Sequence, residues 1–571
     1  MTHKVKEGTT VALRNAARSG LIALVTAGLA WSGASAAMAT DDPGDTQPSV
    51  SKPVKADKQT GPARGNPGNK NDKLGEKDRA LLTQARAKGD KTVTLIMATN
   101  QGTTATTIAA VKAAGGSVGK VVDEIGYVRA TVPTASVEKV AANGDVISVD
   151  LNELIPLPDP RAEAPDMAPG ASADAGPGPS ATTPDDNPYM PTRDIGSVAF
   201  RQANPTYDGR GITIGVLDSG VALDHPALQT TTTGEPKIVD WVTATDPIVD
   251  GDLTWRPMLT GIPAGASTLS YAGSTWTLPA GATNLFINRF SESATGGTGS
   301  ELGGDVNRDG DTSDRWGVLY SADTHDIWVD INDNKVFEAS EKMRPFVENR
   351  QFGYFGTDNP ATPLVERMPF VVEYRDGVSL APYGLPGTAS FVNIGIVSGA
   401  HGSHVAGIAA GHSLFGGAMN GGAPGAKVVS SRACVFAGGC TAVALTEGMI
   451  DLVLNRKVDI VNLSIGGLPA LNDGHNARAD LYNTLIDKYG VQIVISAGNS
   501  GPGRNTVGDP SVADSSISAA SSITKETWAA NYGSGVSAAL NLHNYSSRGP
   551  VSYTHLRAHE TDSYLVCRLL L

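Results

Sequence analysis

Apolar residues along the chain gather in two stretches, separated by segments rich in polar residues and proline. The first begins near Arg79. There "TVTLIMA" reads as a strand, "TTATTIAAVKAAGG" as a helix closed by glycine, and "SVGKVVDEI" and "YVRATVP" as two strands. "TASVEKVAAN" has the Ser/Thr start and apolar spacing of a short helix, and "VISVDL" is a last strand. The order βαββαβ predicts a small ferredoxin-like domain over 79–157. The second stretch runs from about Tyr189 to Pro550. Its runs "GITIGVLD", "AKVVSSRA", "VDIVNLSIGG" and "VQIVISAGN" are nearly continuous in apolar residues, as strands buried on both faces are. "TAVALTEGMIDLVLNRK" and "ARADLYNTLIDKYG" between them have helical spacing. This alternation predicts an α/β domain with a doubly wound, mainly parallel sheet, whose functional groups gather at the C-terminal strand ends.

Residues 40–78 contain too few apolar side chains to bury a core, and 158–188 are dominated by Pro, Ala and Gly; both read as linkers. At the N-terminus, Lys4, Lys6, Arg14 and Arg18 precede "LIALVTAGLAW" and the small residues of "ASAAMAT". That is the layout of a secretory signal over 1–39, so a secreted protein is expected. Ser32 and Gly33 interrupt the apolar run before the roughly 18 residues a membrane span needs, and no membrane anchor is expected. The 571 residues are 40% hydrophobic and 18% charged, with a net charge of -13. That balance excludes a general nucleic-acid binder, which needs clustered Lys and Arg. Outside the cytosol Cys434 and Cys440, which bracket "VFAGG", read as a disulfide around a small loop or as two buried thiols.

Three motifs carry candidate chemistry. Asp218 closes the strand "GITIGVLD" before a glycine turn, His401 opens "HGSHVAGIAAG", and Asn499 follows the strand of "VISAGNSGPG" with its amide placed to donate. His401 and His404 stand three apart, without the i, i+4 spacing and nearby acid of a metal-binding helix. The strings "VLDSG", "HGSHVAG", "VNLSIGG" and "SAGNSGP", followed by "SSRGP", together resemble the subtilisin-like serine proteases (subtilases), in which the triad runs Asp, His, Ser along the chain. The resemblance implies that His401 is the base, Asp218 orients it and Asn499 supplies the oxyanion hole. It implies too that Ser464, Ile465 and Gly466 offer a backbone edge to an extended substrate, and that Ser496, Ala497 and Gly498 wall the pocket before the scissile bond. His404 matches the family's structural second histidine. Residues 79–157 match the pattern of the family's inhibitory propeptide, so the implied partners are protein or peptide substrates and the chain's own propeptide. No cofactor is implied for catalysis.

Asp218 and His401 are 183 positions apart, which implies an insertion at about 230–395. Within it "DVNRDGDTSD" places Asp305, Asn307 and Asp309 at alternate positions before Gly310, as in the first half of a calcium loop, but has Trp316 at position twelve. "DINDNKVFEASE" supplies Asp330, Asn332, Asn334 and Glu341, with Lys335 where glycine is expected. These loops read either as a structural calcium site or as acidic turns.

A G-T-S-M-A-type turn bearing the family's serine is expected several tens of residues after "SSRGP". Ser552 and Ser563 lack the glycine turn, and Ser390 precedes His401. Residues 551–571 are expected to be a non-native tail, leaving the chain as given without its nucleophile and inactive. The insertion and the downstream "NTVGDPSV" look like the tripeptidyl-peptidase II branch, whereas the signal and propeptide fit a secreted endopeptidase precursor. A noncatalytic substrate-binding pseudoprotease is the remaining alternative.

Overall fold

The computed structural model describes residues 54–55, 73–157, 178–361, 365–381, 385–469, 471–533 and 535–551. The expected signal, most of both linkers and the tail lie outside them. No helix among the described residues is long and apolar enough to cross a membrane.

The N-terminal unit comprises α1 (Glu76–Lys88), β1 (Thr92–Thr99), α2 (Thr104–Ala113), β2 (Ser117–Val122), β3 (Tyr127–Pro133), α3 (Val137–Ala141), β4 (Val146–Leu151) and β5 (Glu153–Pro156). Its antiparallel sheet has the order β2-β3-β1-β4, the topology expected of βαββαβ. Helix α1 corrects the linker boundary at 78, since Leu74 and Asp78 are already buried. Its charged sequence hides the three apolar contacts Leu81, Leu82 and Ala85. Glu76 and Asp78 in its first turn, Arg86 and Lys88 in its last, and the left-handed Gly89 (φ 77°) complement the helix dipole and end the helix.

The second unit contains β6 (Thr213–Asp218), β7 (Ile238–Thr243), β8 (Leu285–Ser291), β9 (Arg315–Ser321), β10 (Met368–Ser379), β11 (Thr388–Gly395), α4 (His401–Ala410), β12 (Lys427–Arg432), β13 (Cys434–Val435), β14 (Gly439–Thr441), α5 (Ala442–Leu454), β15 (Ile460–Leu463), α6 (Ala477–Tyr489), β16 (Gln492–Ser496) and β17 (Ile517–Ala519). Six strands form one parallel sheet in the order β17-β16-β15-β6-β12-β7. Both faces are covered. Ile214, Val216 and Val428 pack with Ala406 and Ala410 of α4. Leu217, Val429, Val461 and Ile493 pack toward α5 and α6. Alternate residues of one strand thus enter different cores, which is why these strands are continuously apolar.

Two boundaries shift. Residues 178–188 are packed rather than a free linker: Asn187 is buried and Asp185 accepts the Arg201 guanidinium at 2.6 Å. The insertion begins after Thr243, because β7 is an edge strand of the central sheet paired with β12. The inserted segment carries its own core, with Phe290, Trp316, Val318, Phe355 and Phe370 between the β8–β9 and β10–β11 pairs.

Candidate active site

Parallel register brings three of the motifs to one edge. Val216 stands opposite Asn462, and Asn462 opposite Val494, so counting two residues on sets Asp218, Ser464 and Ser496 level at the C-terminal ends of β6, β15 and β16. Asp218 is fully buried. Across the sheet edge, the start of α4 presents His401, whose Nδ1 lies 2.8 and 3.0 Å from the two carboxylate oxygens of Asp218. A carboxylate accepts only, so Nδ1 carries the proton and Nε2 is left as the basic nitrogen. Asp218 Oδ1 also accepts the Ser219 amide at 2.7 Å.

The approach of α4 to β6 is built from small residues. Gly402 has no room for a side chain: a Cβ there would lie 2.5 Å from the Gly220 carbonyl oxygen and 3.2 Å from Asp218 Cβ. The Gly402 amide donates to Ser219 Oγ (2.9 Å), and that hydroxyl donates to the Gly399 carbonyl (3.0 Å). One serine thus ties the turn before His401 to the strand carrying Asp218. Burial is the largest single influence on the His401 imidazole and favours its neutral form. The hydrogen bond and charge of Asp218, with the charge of Glu301, outweigh it and raise the pKa above the ordinary histidine value. His404, one turn on, is exposed and takes no part in this pair.

Asn499 is exposed in the loop after β16. The "SSRGP" segment holds that loop: the Ser547 amide donates to the Gly498 carbonyl (2.9 Å), and the Ser500 amide donates to Ser547 Oγ (3.0 Å). Gly498 has φ 107°, a conformation open to glycine. Ser464, Ile465 and Gly466 continue from β15, and the next residue, Gly467, pairs by its backbone with Asp509.

A further backbone edge runs through Cys440, which the sequence marked for a disulfide or a buried thiol and not for pairing with an extended segment. Strand β14 follows β13 in a hairpin in which Cys434 stands opposite Cys440 and is joined to it as a disulfide. On the other side of β14 lies β5 of the N-terminal unit, antiparallel, with Thr441 opposite Leu154, Cys440 opposite Ile155 and Gly439 opposite Pro156. The Leu157 amide extends the pairing to the Gly438 carbonyl at 3.1 Å. An extended segment therefore already occupies this edge as an added strand. The glycine pair 438–439 was the available signal, but backbone pairing makes little demand on side chains.

The N-terminal unit is held by buried polar contacts as well. Arg129 bridges Asp246 (2.6 Å) and Glu447 (2.9 Å), and the Tyr127 hydroxyl donates to Glu447 (2.9 Å). Asp150 accepts the first amides of α6, from Ala477 (3.2 Å) and Arg478 (3.1 Å). Lys77 pairs with Glu153 and donates to the Leu468 carbonyl.

The predicted calcium loops fold on themselves. Asp305 accepts the amides of Asp309 and Gly310, and Asp330 those of Asn334 and Lys335. Glu341 accepts from the amides of Ile331 and Glu338. Asn332 Oδ1 accepts the Asn334 amide. Among the described residues, the acidic groups close enough to share an ion are Glu292, Asp311 and Asp314, with oxygens within 4.8 Å of one another. Asn307 joins them through its amide nitrogen, 2.6 Å from Asp314.

Residues 392–559 match the model of the subtilase family (Peptidase_S8), and residues 49–152 match a family described as "Putative peptidase inhibitor domain". Tripeptidyl-peptidase 2 of Arabidopsis thaliana is 27% identical over 416 residues, covering 64% of this chain and 30% of the relative. Pyrolysin of Pyrococcus furiosus is 27% identical over 359 residues, covering 54% of this chain and 24% of the relative. A crystal structure of tripeptidyl peptidase 2 aligns at 20% identity with a TM-score of 0.39, covering 55% of this chain and 28% of that one. The chain thus spans less than a third of the length of these relatives. The segment 392–559, which contains His401 of the Asp218–His401 pair at the end of the parallel sheet, thus carries a subtilase-family match.

Proposed function

We propose that this chain is the secreted precursor of a serine endopeptidase. The observation that carries the reading is the His401–Asp218 hydrogen bond, which leaves Nε2 as the general base. In the proposed reaction Nε2 takes the proton of a serine hydroxyl as its oxygen attacks a peptide carbonyl. The same nitrogen then returns the proton to the leaving amine. Asn499 donates to the oxyanion, and β14 with residues 464–466 pairs with the substrate backbone. Residues 73–157 act as an intramolecular inhibitor, a role supported by β5 lying along β14. The leader pattern at 1–39 supports secretion.

The serine is the part left to experiment. Sequencing past the codon for Pro550 and labelling the verified product with a fluorophosphonate locate it: a covalent adduct supports the enzyme. A folded product that stays unlabelled, while still binding peptide, establishes a noncatalytic binding protein instead. The tripeptidyl-peptidase relatives favour a second reading, release of tripeptides from free N-termini. Digesting one peptide with a free and with an acetylated N-terminus separates the two, because internal cleavage of the blocked peptide is endopeptidase action.

A further inference from the structure

The insertion reaches the catalytic pair. Its loop 296–301 lies between the turn before His401 and the β13–β14 hairpin, in a junction of glycines. A Cβ on Gly297 would strike the Phe436 carbonyl oxygen, and one on Gly299 would lie 3.2 Å from Gly438 Cα. A Cβ on Gly399 would lie 2.7 Å from Glu301 Oε1. From this loop, Glu301 Oε2 accepts the Ala400 amide at 3.0 Å, and Ala400 is the N-cap residue directly before α4. We propose that Glu301 is a positioning residue for His401: its carboxylate holds the turn that presents the imidazole and sets a second negative charge beside it. This rests on the reading of His401 as the base.

The chemistry favours a carboxylate at that place. An acceptor at a helix N-terminus satisfies an amide the helix leaves unpaired, and a negative charge there is stabilised by the helix dipole. Without a held turn, the tie from Ser219 to Gly399 and Gly402 fixes the backbone on one side alone. The charged groups acting on His401 are Asp218 from the end of β6 and Glu301 from the insertion; both raise its affinity for a proton. His404, further along α4, acts on His225 instead. Asp218 is buried and bonded to the ring, whereas Glu301 is exposed and its influence is screened by solvent and salt.

The test is a titration of the His401 ring by NMR in the full chain, with ring-labelled histidine. Glu301→Gln keeps an acceptor for the Ala400 amide but removes the charge, and is expected to lower the His401 midpoint by a few tenths of a pH unit, less at high salt. Glu301→Asp keeps the charge and is expected to hold the midpoint nearer the parent value. Glu301→Ala also removes the acceptor and is expected to speed exchange of the Ala400 amide. An unchanged midpoint in Glu301→Gln together with unchanged Ala400 exchange in Glu301→Ala overturns the proposal. Asp218→Asn in the same titration keeps the two readings apart. If its midpoint also stays put, the Asp218–His401 pair itself fails; if it falls while the Glu301 variants do nothing, the pair stands and this inference alone fails.

Discussion

Ile155 lies opposite Cys440 in an antiparallel pair, so the last strand of the N-terminal unit adds to the β13–β14 hairpin along β14. Ile155 is buried in the same core as Cys434, Cys440 and Ile465. Occupation of this edge therefore combines backbone pairing with an apolar anchor.

That pairing is sensitive to side-chain size at Gly439, where a Cβ would collide with the Ile155 carbonyl oxygen. Gly439→Val is expected to loosen β5 by about 1–3 kcal/mol, the usual cost of overpacking. Faster hydrogen exchange at the Leu157 amide, with β1 to β4 unchanged, is the expected result; equal protection in parent and variant refutes it.

The Asp218 carboxylate is expected to set both the tautomer and the proton affinity of His401. In a product that takes the fluorophosphonate label, Asp218→Asn should slow that labelling by about 10⁴-fold, as loss of the orienting acid does in such triads. Because the folded imidazole has a raised pKa, labelling should increase with pH through a midpoint above the ordinary histidine value. The same shift contributes stability that is full below pH about 6.5 and lost as pH rises through the folded midpoint. A labelling rate that is flat from pH 5 to 9 is the contrary outcome.

Asp150, in the N-terminal unit, has its pKa pushed up to about 7, chiefly by burial and then by the charge of Asp509, against Arg478 and the two α6 amides. Asp250 is likewise pushed up to about 7 by burial and Asp246. A carboxyl group raised in the folded state retains its proton longer than in the unfolded chain. Stability therefore falls as pH climbs from about 4 to about 7, by at most about 1.4 kcal/mol per pH unit and proton, then levels off. Asp150→Asn should flatten this slope in denaturant unfolding followed across that range. An unaltered slope removes Asp150 from the account.

Arg432 and Asp252 form an ion pair at 2.8 Å in which neither side chain is exposed. The same guanidinium donates to the Cys434 carbonyl at 2.9 Å, joining the insertion to the root of the β13–β14 hairpin. Asp252→Ala leaves a buried cation unpaired and should cost about 3–5 kcal/mol. The double variant Asp252→Ala, Arg432→Met should recover part of that loss in the same unfolding measurement; no recovery would place the cost elsewhere.

Calcium in the insertion is expected at Glu292, Asp311 and Asp314, where the oxygens converge, rather than at Asp305 and Asp309. Added calcium should raise the melting temperature and chelation lower it. Asp314→Asn should abolish the response while Asp330→Asn preserves it. A parent protein indifferent to calcium rejects the site.

Much of the architecture was legible because it repeats locally. Strands such as Thr213–Asp218 and Gln492–Ser496 are continuous apolar runs, and the βαββαβ order follows from periods of two and of about three and a half residues. Asp218, His401 and Asn499 stood out because short glycine-rich strings surround them. Helix α1 did not stand out, since its buried face is three residues within a charged segment, and β7, which carries Asp240, fell within the span expected to be insertion.

The sequence by itself thus determined most of the strands and helices of the two sheets, their order, and the candidates for a base and its carboxylate. Tertiary structure decided what meets: His401 with Asp218 across 183 positions, β5 with β14, Glu301 with Ala400, and Asp311 with Glu292. The division has a physical cause. Periodicity is written in neighbouring side chains, whereas long-range contacts depend on sheet register, on glycines that permit close approach, and on backbone hydrogen bonds that leave little mark on residue type.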